Sequence, residues 1–311
     1  MSEPVPSSSA DNPLNQSAAV ATEPRPGQER SASLWGDAWR ELIRNPVFVI
    51  SSLFLLVVGS MALFPWLWTS KSHRDCNVSI AHLKPSSEHW FGTSILGCDS
   101  YTEAVYGAQP SLLIALMATA GITLIGVPVG TLAGFYGKWT DAIISRVLDI
   151  IFSLPFLLGA IVFLTVIRIN QEWVIALILT LLGWPGIARL MRGNVIQAKN
   201  LDYVQAAKAL GATNGRLMFR HIMPNAIAPV VVVATIALGG FVAAEATLTF
   251  LGVGLKPPDK ISWGMMIAQH DDWFDSYPWL VLFPCGLLVG TVLSFILMGD
   301  ALRDALDPKL R

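Results

Sequence analysis

The sequence is short of charged residues. Asp, Glu, Lys and Arg make up only 14% of its 311 residues and 53% are hydrophobic, whereas a soluble domain has about 25% charged residues. Three long runs, 46–70, 104–137 and 276–299, contain none of these four residues. A segment needs roughly 20 apolar residues to cross a hydrocarbon core about 30 Å thick. The deficit therefore argues against an ordinary soluble domain and predicts several membrane spans.

Several functional signatures are also missing. No G-x-x-x-x-G-K-[ST] sequence occurs, so the chain cannot itself supply the phosphate-binding loop of an ATPase. The net charge of −1 excludes a basic nucleic-acid-binding protein. Residues 1–32 are rich in Ser, Pro, Ala and Glu and have no apolar core, so we expect a disordered cytoplasmic tail and no signal peptide.

Cysteine is scarce, with three residues in the chain. Cys76 and Cys98 share one polar segment with His73, His82 and His89, and the remaining cysteine lies in an apolar run. No C-x-x-C pair occurs, and the spacing of the five residues fits no compact zinc site, so we predict no metal. Cys76 and Cys98 either form a disulfide, which an oxidising compartment would permit, or remain two unrelated thiols.

What the sequence does contain is a series of six apolar segments. We predict spans at about 46–68, 110–136, 144–167, 173–191, 226–250 and 278–299, each with at least one proline. Residues 33–45 precede the first span with apolar residues at helical spacing and charged residues opposite. This pattern predicts an amphipathic helix in the headgroup layer, with a soluble packing helix as the alternative. Residues 46–311 are then one all-α transmembrane domain.

The distribution of Lys and Arg predicts the orientation. If the N-terminus is cytoplasmic, 15 of the 21 Lys and Arg residues fall in inside segments, as the positive-inside rule requires. Both termini are then cytoplasmic, segments 69–109 and 251–277 face outward, and 192–225 is the one long inside loop.

The inside loop has the pattern of two short helices. Asp202 and Gln205 have the spacing of a capping box, and Gly211 is a suitable helix stop. A second helix should follow Thr213 and stop at Pro224. The first helix brings one group of side chains to a single face, namely Tyr203, Ala206, Ala207 and Leu210. Small residues permit close approach of another surface, so this face either docks in a partner's cleft or lies on the membrane.

The same loop resembles a known family motif. Tyr203-Val-Gln-Ala-Ala-Lys-Ala-Leu-Gly211, followed by Arg220-His-Ile-Met-Pro-Asn225, is similar to the EAA loop of ABC importer permeases in its peptide-transporter form. The resemblance implies a coupling helix that inserts into the nucleotide-binding subunit through Tyr203, Gln205, Ala206, Ala207, Gly211 and Pro224. Gln205 replaces the usual Glu, and Met223 the usual Leu.

Further stretches extend the resemblance over most of the chain after residue 33. They are 90–99, where Ser94 replaces Asp and Cys98 replaces Arg, then 245–254, 257–258, 262–264 and 299–308. Together they resemble the C-type permease subunit of dipeptide and oligopeptide importers. This implies a type I ABC importer arrangement in a bacterial inner membrane. It also implies a second permease subunit, two ATP-binding subunits or one fused ATPase, an extracytoplasmic binding protein, and no cofactor in this chain.

Charged residues within the spans have less specific interpretations. Arg146 and Asp149 are three residues apart on the third span, so we expect a structural ion pair in preference to a transport role. Glu245, near the outer end of the fifth span, either contacts a peptide amino group at the mouth of a pathway or bonds backbone amides or a partner subunit.

Other function classes fit less well. An ion-coupled secondary carrier needs ionisable groups at mid-membrane and usually an internal repeat, and neither is found. A membrane enzyme needs converging catalytic residues, and no such set appears. Within the resembling family, a permease for nickel complexes or another small solute remains an alternative to a peptide permease.

Overall fold

The computed structural model describes residues 34–256 and 260–306, and these residues form an α-helical bundle. The expected tail at 1–32 and the residue pair 257–258 lie outside the described residues. Within the described ranges there is no β-sheet, only two isolated bridges between 76 and 99. The helices are α1 (Leu34–Arg44), α2 (Pro46–Leu63), α3 (Ser100–Tyr136), α4 (Lys138–Phe152), α5 (Phe156–Ile167), α6 (Glu172–Lys199), α7 (Asp202–Ala209), α8 (Asn214–Arg216), α9 (Met223–Ala226), α10 (Ala228–Phe250), α11 (Trp263–His270) and α12 (Trp279–Leu306).

Five of these helices, α2, α3, α6, α10 and α12, are long and apolar enough to cross a membrane. A sixth span exists only if α4 and α5 count together, because they are bent by 78° at residues 153–155. The third span predicted at 144–167 therefore corresponds to the second part of α4 together with α5, with a sharp bend between them. Pro155 disfavours helical geometry at the residue before it and cannot donate a backbone hydrogen bond. The hydroxyl of Ser153 bonds the carbonyl of Ile150 at 2.6 Å where α4 ends.

Several helices extend beyond the predicted spans. α3 begins at Ser100, ten residues before the predicted second span, because the Asp99 carboxylate caps it by accepting a hydrogen bond from the Thr102 amide at 2.9 Å. α6 runs on to Lys199 and α12 to Leu306. Conversely, α2 ends at Leu63, ahead of Pro65.

The contact between α3 and α6 is the most extensive in the bundle. Gly126, Gly130 and Gly134 of α3, spaced four residues apart, face α6. A Cβ atom added at Gly126 would lie 2.7 Å from the Cβ atom of Ile187, and one at Gly130 would meet the carbonyl oxygen of Ala188. Small residues at this spacing bring two helix backbones together, as in many membrane helix pairs.

The chain order places the connecting segments at two opposite ends of the bundle. We call the end that carries residues 69–99 and 260–278 the disulfide end. The end that carries residues 200–227 is the hairpin end. α1 lies at the hairpin end, where Leu42 is buried against Ala301 and Ala305 of α12. Trp39 and Ile43 of α1 are more than half exposed, which suits a helix with one face in the headgroup layer.

Candidate functional site

The first arm of the hairpin at 200–226 is α7, and its start differs from the predicted capping box. Leu201 is the N-cap residue and makes no side-chain cap, and Asp202 is the first residue of the helix. Gln205 does not reach back to the cap. Its amide nitrogen donates to the carbonyl of Lys199 at 2.9 Å and so ties α7 to the end of α6. Gly211 adopts φ +84° after the last turn, as its predicted role of helix stop requires.

The second arm starts as predicted and ends later than predicted. The Thr213 hydroxyl accepts a hydrogen bond from the Arg216 amide at the start of α8. The chain then forms a π-helix at Leu217–Ile222 and continues through Pro224 to Ala226, so the predicted stop at Pro224 was wrong. The wider π-turns ahead of Pro224 change the hydrogen-bond register at the point where proline lacks an N–H group.

Side-chain hydrogen bonds hold the two arms together. The Tyr203 hydroxyl donates to the carbonyl of His221 at 3.2 Å, and the Asn225 amide donates to the Tyr203 oxygen at 2.8 Å. Asn225 also donates to the His221 carbonyl at 2.8 Å. On the bundle side, the Asn194 amide of α6 donates to the carbonyl of Ala226 at 3.1 Å. The hairpin is therefore a fixed projection of α6.

The four residues predicted to share one face of α7 differ in their burial in the structure. Val204, which was not predicted as a contact residue, is 2% exposed, and Ala207 packs partly against the same core. Ala206 is exposed and Leu210 is 89% exposed, while Tyr203 is 41% exposed. Of the four residues of the predicted face, Ala206 and Leu210 with part of Tyr203 therefore remain exposed, and we call these three the free surface. The helical period alone could not show which side the bundle would cover.

The ion pairs of α4 also differ from the prediction. Asp149 does not pair with Arg146, which is exposed. It pairs with Arg189 of α6 at 2.9 Å. Asp141 binds Arg192 through two bonds, one from Nη2 at 2.7 Å. Both pairs join α4 to α6 across forty or more residues, a separation that local sequence spacing cannot reveal.

Glu245 is fully buried inside the bundle. One carboxylate oxygen accepts a hydrogen bond from the Ser111 hydroxyl and the other accepts one from the Thr249 hydroxyl, both at 2.9 Å. The bond from Ser111 joins α10 to α3, and the bond from Thr249 lies within α10. In this structure Glu245 lies at no open pathway, and its partners are hydroxyl groups in place of the backbone amides considered from the sequence.

At the disulfide end, Cys76 and Cys98 are joined by a disulfide, with Cα atoms 4.1 Å apart. The three nearby histidines do not converge. His89 lies 2.7 Å from Asp99, His73 packs on Tyr106, and His82 packs on aromatic residues of the 271–277 segment. Across 34–256 and 260–306, no group of three His, Cys, Asp or Glu residues could hold a metal ion.

Asp99 makes several contacts at the disulfide end that were not predicted from the sequence. Besides capping α3, it binds Lys71 at 2.9 Å and His89. Burial alone would raise the pKa of the Asp99 carboxyl, but the Thr102 amide, Lys71 and His89 together hold this pKa below its ordinary value. The sequence feature that could have indicated the capping role of Asp99 is an aspartate directly before a helical segment. Burial, followed in importance by the charge of Arg74, lowers the pKa of His73.

Two protein-family models match this chain, and between them they include residues of both the hairpin end and the disulfide end. A family model described as the inner membrane component of binding-protein-dependent transport systems matches residues 126–311. A second model, the N-terminal transmembrane domain of oligopeptide transport permease C, matches residues 33–85. The first match covers the hairpin and the second reaches into the disulfide end.

Whole-chain relatives agree with these matches. The dipeptide transport system permease protein DppC of Alkalihalophilus pseudofirmus is 38% identical over 93% of this chain and 94% of its own length. The oligopeptide transport system permease protein OppC of Bacillus subtilis is 36% identical over 96% and 98%. The glutathione transport system permease protein GsiD of Pectobacterium atrosepticum is 33% identical over 94% and 97%.

A solved structure shares the fold. An inward-facing structure of the methionine ABC transporter MetNI includes a chain that matches with a TM-score of 0.54 and 24% identity, covering 66% of this chain and 96% of that one. The predicted type I importer arrangement of an all-α membrane protein is thereby confirmed.

Proposed function

This chain belongs to the inner membrane component family of binding-protein-dependent transport systems, and from that premise we propose that it imports peptides as one permease subunit of an ATP-driven complex. It is a multi-pass inner-membrane protein, and its family consists of permease subunits, which are not ATPases. The relatives named above carry dipeptides, oligopeptides or glutathione. Their shared chemistry, a peptide, is the substrate class that we assign to this chain.

The observation that carries the proposal is the free surface of the hairpin. Leu210 is 89% exposed at the tip of α7, next to the turn at Gly211. Together with the exposed Ala206 and Tyr203, it gives a partner an apolar surface to bury. The hydrogen bonds of Gln205 and Asn225 hold this surface in place. We assign this surface to a separate ATP-binding subunit, which supplies the nucleotide site that this chain lacks. A second permease subunit and an extracytoplasmic binding protein complete the complex.

The coupling follows from the rigid attachment of the hairpin. Its first arm continues α6 and its second arm leads into α10 within two residues. A displacement of the hairpin by the ATP-binding subunit therefore reaches both helices without an intervening flexible linker. Switching of access between the two sides of the membrane then requires α6 and α10 to move relative to the other spans.

The test is Ala206→Asp in the assembled transporter. Ala206 is exposed and makes no side-chain hydrogen bond, so the substitution adds a charge to the docking surface while the fold is retained. We expect normal insertion and assembly, loss of ATP-driven uptake, and loss of substrate-stimulated ATP hydrolysis. Asn214→Asp is the control, because it adds the same charge to an exposed residue of α8 that lies outside the surface formed by Ala206, Leu210 and Tyr203. Full uptake by the Ala206→Asp protein would refute the assignment.

Orientation has its own test. The hairpin end must face the cytoplasm for this coupling to occur, and the disulfide end must face outward, as the distribution of Lys and Arg predicts. Reporter fusions after Arg311 and at Ser86 should therefore give opposite signals. Matching signals from the two fusions would contradict the orientation whatever the result at Ala206.

A further inference from the structure

The disulfide end contains a cavity of about 340 Å³ that none of the contacts above explains. It lies between the segment closed by the Cys76–Cys98 bridge and the start of α11. Leu96, Ile261 and Met265 form apolar parts of its wall. Its volume is within the range of small-molecule sites, and its position is on the side that receives substrate in the proposed orientation.

A buried carboxylate without a partner faces this cavity. Glu103, in the first turn of α3, is 5% exposed, and its Oε2 atom makes no hydrogen bond to any described residue. A buried carboxylate without a partner is energetically costly. Glu245 shows how the same fold treats a carboxylate with a structural role, since both of its oxygens are bonded to hydroxyl groups. Glu103 therefore lacks the partner that a purely structural role would provide.

The basic residues around the cavity do not neutralise Glu103. Lys260 lies at the rim, but its ammonium group is 2.7 Å from Glu172. Arg74 lines the cavity, is exposed and has no ion pair within the described residues. His73 adds a buried Nδ1 atom without a partner in the described chain. The cavity thus holds an unsatisfied acid at depth and an unpaired guanidinium nearer the surface.

We propose that this cavity binds a short peptide through its free amino terminus, with the ammonium group on Glu103 and the carboxylate end toward Arg74. The ammonium group supplies the donors that the buried carboxylate lacks. The apolar wall accepts small side chains, and the disulfide holds the wall against α3. The inference rests on the proposed function, since it names a place where the transported peptide is held before it enters the membrane.

Direct binding to the intact complex tests the proposal. The permease and ATP-binding subunits are placed together in nanodiscs without the binding protein, and trialanine is titrated while saturation-transfer NMR reports its contact with the protein. We expect binding of trialanine and none of N-acetyl-trialanine, whose amide cannot replace the ammonium group. Glu103→Gln should weaken trialanine binding roughly 10- to 100-fold. Glu88→Gln, an exposed carboxylate in the same segment, should change nothing.

A second variant keeps the test decisive if Glu103→Gln disturbs folding. Leu96 is 57% exposed at the cavity wall, so Leu96→Trp can fill the space while Glu103 stays intact. We expect it to abolish trialanine binding in a correctly assembled complex. Equal affinity in the wild type and Leu96→Trp, or equal binding of acetylated and free trialanine, would overturn the proposal.

An uptake assay distinguishes a failure of this inference from a failure of the proposed function. Vesicles that contain the wild-type complex and its binding protein should take up trialanine when ATP is supplied. Absence of ATP-driven uptake of any peptide would refute the proposed function. If ATP-driven uptake occurs but trialanine binding does not depend on Glu103, only the cavity assignment is refuted.

Discussion

Gly130→Ala places one methyl group in the tightest helix contact of the bundle. The new Cβ atom would meet the carbonyl oxygen of Ala188 and would lie 2.9 Å from the Cβ atom of Met191. Neither atom is the end of a flexible side chain, so the helices α3 and α6 must separate or tilt. Forcing extra volume into a packed contact typically costs about 1–3 kcal/mol, while replacing glycine in a helix interior recovers about 1 kcal/mol.

Gly193→Ala separates these two effects. Gly193 lies on α6, and a Cβ atom added there would have no heavy atom within 4 Å. Both variants gain the helix-propensity contribution, so their difference in free energy of unfolding measures the packing cost alone, about 1–3 kcal/mol. Unfolding of the purified protein by a denaturing detergent, followed by circular dichroism, provides the comparison. If the two variants are equally stable, or if Gly130→Ala is the more stable one, then α3 and α6 do not approach each other as closely at Gly130 as they do in this structure.

Three further predictions concern the disulfide, an ion pair and pH. Cys98→Ser should lower the unfolding temperature, because the bridge to Cys76 closes a segment worth roughly 3 kcal/mol in the chain-entropy model, and free thiols at both positions in unreduced wild-type protein by mass spectrometry would contradict the bridge. Combining Arg192→Ala with Asp141→Asn should reveal a coupling of about 0.5–1 kcal/mol in a double-mutant cycle of unfolding free energies, small because the pair is partly exposed, and strictly additive effects would refute it. The folded pKa of Asp99 lies below its ordinary value of 3.8, so its stabilisation is complete above that pH and is lost as pH falls through the folded pKa. Thermal unfolding from pH 6 to 3 should lose part of its acid sensitivity in Asp99→Asn, and identical profiles would count against this role.

Composition and periodicity were sufficient for the spans and insufficient for their ends. The apolar runs located α2, α3, α6, α10 and α12, because crossing a membrane requires length and apolarity that are local properties of the sequence. The same runs could not show that α3 starts at Ser100, since its first turns are polar and are held by Asp99 and the bridged segment. Nor could hydropathy show the 78° bend at Pro155, because α4 and α5 taken together are apolar enough to pass as one span.

In the hairpin too, some residues could be predicted from the local sequence and others could not. Gly211 was predicted correctly, because a left-handed turn after a helix is a local requirement. The inward rotation of Ala207 and the use of Gln205 as a tie to Lys199 depend on where the bundle lies, which one helix cannot encode. Likewise, Asp149 selects Arg189 over the nearby Arg146 only after α4 and α6 have packed together.

The length of α3 restricts how the two ends of the protein can move. At 1.5 Å per residue, its 37 residues give a rod about 55 Å long, well beyond the roughly 30 Å of hydrocarbon. One end of this rod starts at Asp99, directly after Cys98, and near the other end the carbonyl of Phe135 accepts a hydrogen bond from Lys199, just before the hairpin. A tilt of about 10° at one end displaces the other end by about 10 Å. If α3 tilted as one rigid body, a movement at the hairpin end would therefore also displace the residues that begin its first turn at the disulfide end.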